Sequence, residues 1–198
     1  MDAGIMAKYM PEYHSLATYE MHLAENKCRA AIVNAAKMER AEALVNPQLM
    51  FAKERNEART KLALDKAQRD AARIEPQVNK IFDSLAAAES DRTKLTGTRW
   101  QAAYDTAYGR ACAAKARVDG YNAMVAALKR GKTFTKPDSN TWLLEPSENI
   151  ESGSAVQKIA EKAQQYLERV KTEHAGTPWA IMAETELQTP LGWAWREQ

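Results

Sequence analysis

Apolar positions recur along most of this chain at the spacing of a helix. Leu64, Ala67, Ala71, Ile74, Val78, Ile81, Leu85 and Ala88 follow one another at alternating steps of three and four, a heptad seam on one face. The seam passes through Pro76, which in a helix interior removes a hydrogen bond and crowds the preceding turn, at about 3 kcal/mol. Because the phase is kept on both sides, the pattern predicts one long helix kinked at Pro76, with a new helix starting there as the competing arrangement. A second seam of the same kind, Ala107, Ala111, Ala114, Val118, Tyr121, Val125 and Leu128, predicts a long helix starting near Thr98 or Arg99. Between the two, Ser90 to Arg99 supplies Gly97 and several threonines suited to capping. Two heptad seams joined by a short turn predict an antiparallel helical hairpin. At 1.5 Å per residue the second of these helices alone would span about 50 Å, against a radius of gyration near about 16 Å for a compact chain of this size, so an elongated bundle is expected. The alanines of both seams bury little area each, and further elements are needed to cover them.

The flanking segments carry shorter patterns. Leu16, Leu23, Ala24, Cys28, Ala31, Ala35 and Met38 predict a first helix that opens near Pro11 to Ser15 and runs to about Arg40, with Pro47 in the connection that follows. Trp100, Tyr104 and Tyr108 recur every four residues and read as a core stripe, packed against the first helix or the C-terminal elements. Gly109 and Gly120 fall inside the same helix, where each costs about 1 kcal/mol relative to alanine unless a backbone must come close.

Helical spacing stops after Lys132. Thr133 to Gly153 holds two prolines, a Pro-Asp-Ser-Asn turn and β-prone flanks at Thr133 to Thr135 and Thr141 to Leu144, predicting a small hairpin or ordered loop pinned by Trp142. Periodicity returns from about Ser154 to Glu173, then a turn at His174 to Pro178 leads into a short helix ending near Gln188. Thr177 suits the N-cap of that helix, Pro178 its first position, and Gly176 the reversal before it. Pro190 stops the helix, and alternation puts Trp193 and Trp195 on one side of an extended tail. With Trp179, these two indoles are expected to lock the last helix pair onto the hairpin. The expected fold is therefore all-α, an elongated bundle on a long antiparallel hairpin with a short β-like loop and a C-terminal helix pair. Its expected division is 1–132 as long-helix bundle, 133–153 as ordered loop or small hairpin, and 154–198 as helix pair with a Trp-rich tail packed on the bundle.

Charge narrows the function. Lys and Arg number 28 against 26 Asp and Glu, and the signs interleave, as in Ala52 to Glu75. Such a run is a solvated helix face rather than a nucleic-acid footprint. No stretch approaches the roughly 18 apolar residues of a membrane span, and Met1 to Ser15 lacks the charged start and apolar run of a secretory signal. Cys28 and Cys112 are far apart, outside any metal or redox spacing, and are expected as buried free thiols. His14 and His22 lie eight residues apart, about 12 Å along a helix, too far to share a metal unless side chains from elsewhere intervene. Glu-x-x-His pairs, His-Glu-x-x-His, Gly-x-Ser-x-Gly and phosphate-binding glycine loops are lacking. Lys129, Arg130 and Lys132 form a basic knot that complements a helix C-terminus. No catalytic, cofactor-binding or metal-binding residue is expected, and no enzyme activity.

Two resemblances add context. Ala160 to Leu187 resembles one tetratricopeptide-type helix pair, with small residues at the crossing, an aromatic in its first helix and a Gly-Thr-Pro-Trp turn. A single such unit implies packing, not a peptide-binding array. Five stretches extend the second likeness over most of the chain: Met6 to Tyr13, Leu23 to Lys37, Arg92 to Phe134, Asn140 to Glu148 and Glu173 to Trp195. They resemble the C-terminal helical region that follows the von Willebrand factor A domain in a group of large bacterial proteins of uncharacterised function. That domain's Asp-x-Ser-x-Ser metal motif does not occur here, so the resemblance implies a context and no site. Together these features favour a non-catalytic helical scaffold or protein-interaction module, whose partner is another protein or the rest of its own longer chain. The alternative is a glycan- or peptide-binding module that uses Trp142, Trp193 and Trp195 as its contact surface.

Overall fold

A computed structural model describes residues 3–39, 47–53 and 57–198, the side chains of residues 57 and 58 excepted. The fold is mostly helical with a small three-stranded sheet. In chain order the helices are α1 (Ala3–Met6), α2 (Leu16–Glu25), α3 (Lys27–Lys37), α4 (Glu57–Ala86), α5 (Thr98–Lys129), α6 (Ser154–Glu173) and α7 (Pro178–Leu187), with 3-10 turns at Ala7–Tyr9 and Glu89–Lys94. The strands are β1 (Met50–Ala52), β2 (Thr141–Ser147) and β3 (Gly192–Glu197). Helix α4 is continuous through Pro76. The chain divides into two compact units, each assembled from three stretches of sequence.

The first unit comprises Met1–Arg40, Asn79–Ala113 and Glu161–Thr189. Here the single N-terminal helix expected from the seam is two helices. Asn26 is extended, with φ −136° and ψ 115°, and its Oδ1 accepts from the amides of Cys28 and Arg29, so it caps α3. An asparagine that satisfies the next helix's free amides holds its own backbone out of the helix, which ends α2 at Glu25. The expected end at Arg40 lies outside the described residues.

Tyr104 and Tyr108 of α5 are fully buried against Tyr166 of α6, with the Tyr108 and Tyr166 rings edge-on at 4.8 Å. Gly109 serves this approach: a Cβ there would stand 2.8 Å from Leu167 Cγ. Thr177 caps α7 by accepting from the Ala180 amide, and Gly176 turns at φ +77° with Ile5 against it. Leu167, Val170 and Ala183 close the α6–α7 pair, together with Trp179 and Leu187. Trp179 also stacks on Tyr9 at 5.4 Å.

The second unit comprises Ala41–Val78, Ala114–Ala160 and Pro190–Gln198. Ile74 and Val78 of α4 pack with Val118 of α5, while Leu64, Ala67 and Ala71 share a core with Tyr121, Val125 and Leu128. The sheet, ordered β1-β2-β3 and antiparallel throughout, supplies Phe51, Trp142, Leu144 and Trp193 to that core.

This unit corrects two expectations and gives a third its partner. The all-α expectation omitted a sheet. The tail after Pro190 is extended, as its alternation predicts, and it is strand β3 of the sheet, with Leu144 opposite Trp195 and Pro146 opposite Trp193. Thr133 to Thr135 is no strand, and β2 takes its partners from distant sequence. The physical reason is common to all three: the backbone N–H and C=O groups of 141–147, apart from the N–H that Pro146 lacks, need partners, and β1 and β3 provide them where the short local flank does not. Of the three C-terminal indoles, Trp179 packs with Leu167, Val170 and Ala183 in the first unit, while Trp193 lies in the core of the second with Trp195 against it.

Candidate functional site

The second unit holds a cavity of about 770 Å³. Its apolar wall is made by Phe51 of β1, Leu64 of α4, Leu128 of α5 and Trp142 of β2, all buried core residues, with Phe134 from the connection after α5. Alternation along β1 and β2 turns Phe51 and Trp142 inward opposite each other, which fixes two of these aromatic walls. Phe134 stacks on Trp142 at 4.8 Å and 13°. The Glu197 carboxylate holds the loop that carries Phe134 by accepting from the amides of Thr135 and Lys136 and from the Thr135 hydroxyl. The Thr135 amide leads in holding the Glu197 carboxyl below its usual range.

Around the mouth lie four exposed lysines, Lys53, Lys61, Lys129 and Lys132, and no Asp or Glu lines the cavity among the described residues. Lys132 Nζ is 5.0 Å from the centroid of Trp142, and Lys53 Nζ is 6.0 Å from that of Phe134. Lys129 donates to Asp65 and Gln68. The chemistry of the site is thus an aromatic floor with a cationic rim; among the described lining residues there is no imidazole, thiol or carboxylate.

The three indoles singled out from the sequence meet in the core of this unit, but they do not form an exposed stacking surface. Trp142 is 5% exposed and Trp193 8%. Trp193 Nε1 donates to the Arg117 carbonyl at 2.9 Å. Trp195 is half-buried and stands at 70° to Trp142, with its Nε1 lacking an acceptor among the described residues. Only Trp142 of the three lines the cavity. Phe51, Phe134 and the lysines escaped the sequence reading, although Lys129 and Lys132 were visible there as the basic knot.

Two polar clusters of the first unit centre on buried or half-buried carboxylates, Glu89 and Asp105, and both are occupied with structural work. Glu89 accepts from Lys162, Tyr108 and Tyr166. Burial acts most strongly to raise its pKa, yet these donors together hold the carboxyl below its usual range. Asp105, fully buried, is gripped by Arg92 through Nε and Nη2 at 2.6 and 2.7 Å, with Arg169 at 3.7 Å. Among the described residues Asp105, Glu173 and His174 bring one ligand atom each within 4.8 Å of the others. His174 Nδ1 hydrogen-bonds Tyr9, and its buried Nε2 has no partner among the described residues. Two guanidiniums beside Asp105 disfavour a cation there, so the donor set suits an ion pair better than a metal.

His14 and His22 lie closer than helical spacing allows, with ring centroids 5.0 Å apart. Helix α2 starts only after the Ser15 cap, so the eight-residue separation is not a helical one. Each ring faces a different carboxylate, Glu12 or Glu25. Cys28 and Cys112 are free and buried, and burial pushes their thiols up to about 11 and about 12.

No protein-family profile, curated protein or solved structure matches the chain.

Proposed function

We propose that this chain is a non-catalytic interaction module, a helical scaffold in which α4 and α5 form an antiparallel hairpin and a segment of a protein partner seats in the cavity of the second unit. The partner is a separate protein or another part of the chain's own longer polypeptide. The resemblance to the region following a von Willebrand factor A domain supports the latter setting, with this chain as the C-terminal part of such a protein and the α6–α7 pair as a tetratricopeptide-like packing unit.

The observation that carries the reading is the cavity itself. Four of its wall residues, Phe51, Leu64, Leu128 and Trp142, are already fixed in the core, so that part of its shape costs little to hold, and apolar concavities of about 300 to 1,000 Å³ are the usual seats of ligands and anchoring side chains. Selection from a random peptide library on the immobilised chain tests it. Enriched peptides are expected to bind in solution and to lose affinity when Thr60→Trp fills the mouth without changing the melting curve. Failure to enrich any peptide, or binding indifferent to Thr60→Trp, would overturn the reading.

A further inference from the structure

We infer that the segment seated in this cavity is acidic, an apolar anchor flanked by several carboxylates. The inference rests on the interaction-module reading and adds the chemistry of the partner. The four lysines at the mouth come from separate elements: Lys53 follows β1, Lys61 belongs to α4, and Lys129 and Lys132 lie at and beyond the end of α5. Lys129 has a carboxylate partner in Asp65, whereas Lys53 and Lys132 lie over the rings of Phe134 and Trp142.

That placement matters in two ways. An ammonium held over an aromatic face sits at the border between apolar wall and solvent, where an incoming carboxylate is attracted more strongly than in open water. The four cations are carried by three parts of the unit, the end of β1, α4 and the end of α5, so a chain segment has several of them to meet. A segment with carboxylates on both sides of a buried apolar side chain matches that set, an apolar wall with only cations among its charged lining residues. The volume, about 770 Å³, admits more than one large side chain. A nucleic acid would share the charge and the stacking, but it needs a basic track extending beyond one cavity, and over the whole chain 28 basic residues are matched by 26 acidic ones.

The test uses four fluorescein-labelled probes and the whole chain. One is a peptide with a central Leu-Phe pair between two runs of three glutamates; its twins carry lysines for the glutamates, or Ala-Ala for Leu-Phe; the fourth is a ten-nucleotide oligothymidine. In anisotropy titrations the acidic Leu-Phe peptide should bind at least about tenfold tighter than either twin and weaken as salt shortens the Debye length. The double substitution Lys53→Glu and Lys132→Glu, at two exposed positions, should lower its affinity about tenfold or more while leaving the melting curve in place. Equal binding of the lysine twin, or indifference to the double substitution, overturns the acidic class and leaves the interaction module standing if library peptides still respond to Thr60→Trp. Tighter binding of the oligothymidine overturns it in favour of a nucleic acid, and binding of none of the peptides overturns it outright.

Discussion

Asp105 and Arg92 offer the sharpest test of how the first unit is held together. The carboxylate is wholly buried, and the guanidinium that grips it at 2.6 and 2.7 Å has a side chain 13% exposed. Removing one partner of such a pair leaves the other charge buried without compensation, which typically costs about 3–5 kcal/mol. The two deletions should not be equal. After Asp105→Leu, Arg92 can extend its head toward water along its long stem. After Arg92→Met, Asp105 is still fully buried and, among the described residues, is left with Arg169 at 3.7 Å as its cation. Arg92→Met is therefore expected to lose about 3–5 kcal/mol, and Asp105→Leu to fall at the low end of that range. The double variant should lose less than the sum by about 2 kcal/mol or more, because it leaves neither charge stranded. Urea unfolding followed by circular dichroism, with hydrogen exchange of residues 98–113 as a local readout, measures all three. Single losses below about 1 kcal/mol, additive in the double variant, are the behaviour of a solvated surface pair and would refute the account.

Three other outcomes follow from the same structure. Deleting residues 189–198 should lower the melting temperature markedly, since it removes β3 and the buried side chains of Leu191 and Trp193, worth about 1.5–3 kcal/mol each; an unchanged melt would show that the sheet contributes nothing. Acid should destabilise the chain in two stages. Burial lowers the His174 pKa against the pull of Asp105 and Glu173, and Glu89 is lowered by its donors despite its own burial. Both groups take up protons more readily when unfolded, so their contributions are complete above about pH 6.5 and 4.3 respectively and are lost as pH falls below those values. His174→Gln should flatten the upper stage in melts run from pH 8 to 4, and a melting point that rises between pH 6.5 and 5.5 would contradict the sign. Finally, with thiols raised to about 11 and about 12, iodoacetamide should label the native chain very slowly at pH 7.5 and both cysteines at once in denaturant.

What could be read from the residues alone was what depends on local spacing. Leu64, Ala67, Ala71, Val78 and Leu85 are all buried, because a heptad seam records which face of a helix avoids water. Thr177 and Pro178 marked the start of α7 for an equally local reason. The break at Asn26 stayed hidden: the apolar spacing runs across it, and only the side chain's bond to two amides sets it apart from a helical asparagine. The sheet stayed hidden because its pairings are not local. Trp142 lies opposite Phe51 and Glu197, and nothing in the alternation of Trp193 and Trp195 says which strand will sit beside them. The cavity is further removed still, since Lys53, Lys61 and Lys132 become neighbours of one opening only after β1 and β2 have paired.

The division of each unit among three stretches of sequence has a consequence for how the polypeptide is made. No single cut releases a whole unit: the first needs residues up to 189, and the second needs 41–78, 114–160 and 190–198 together. On the ribosome, Phe51, Leu64, Trp142 and Leu144 are all synthesised long before Trp193, the indole that joins them in one core. Through that interval the nascent chain presents an unfinished aromatic surface and an unpaired edge on β2, a form that invites chaperones and mispairing with neighbouring chains until the last strand arrives.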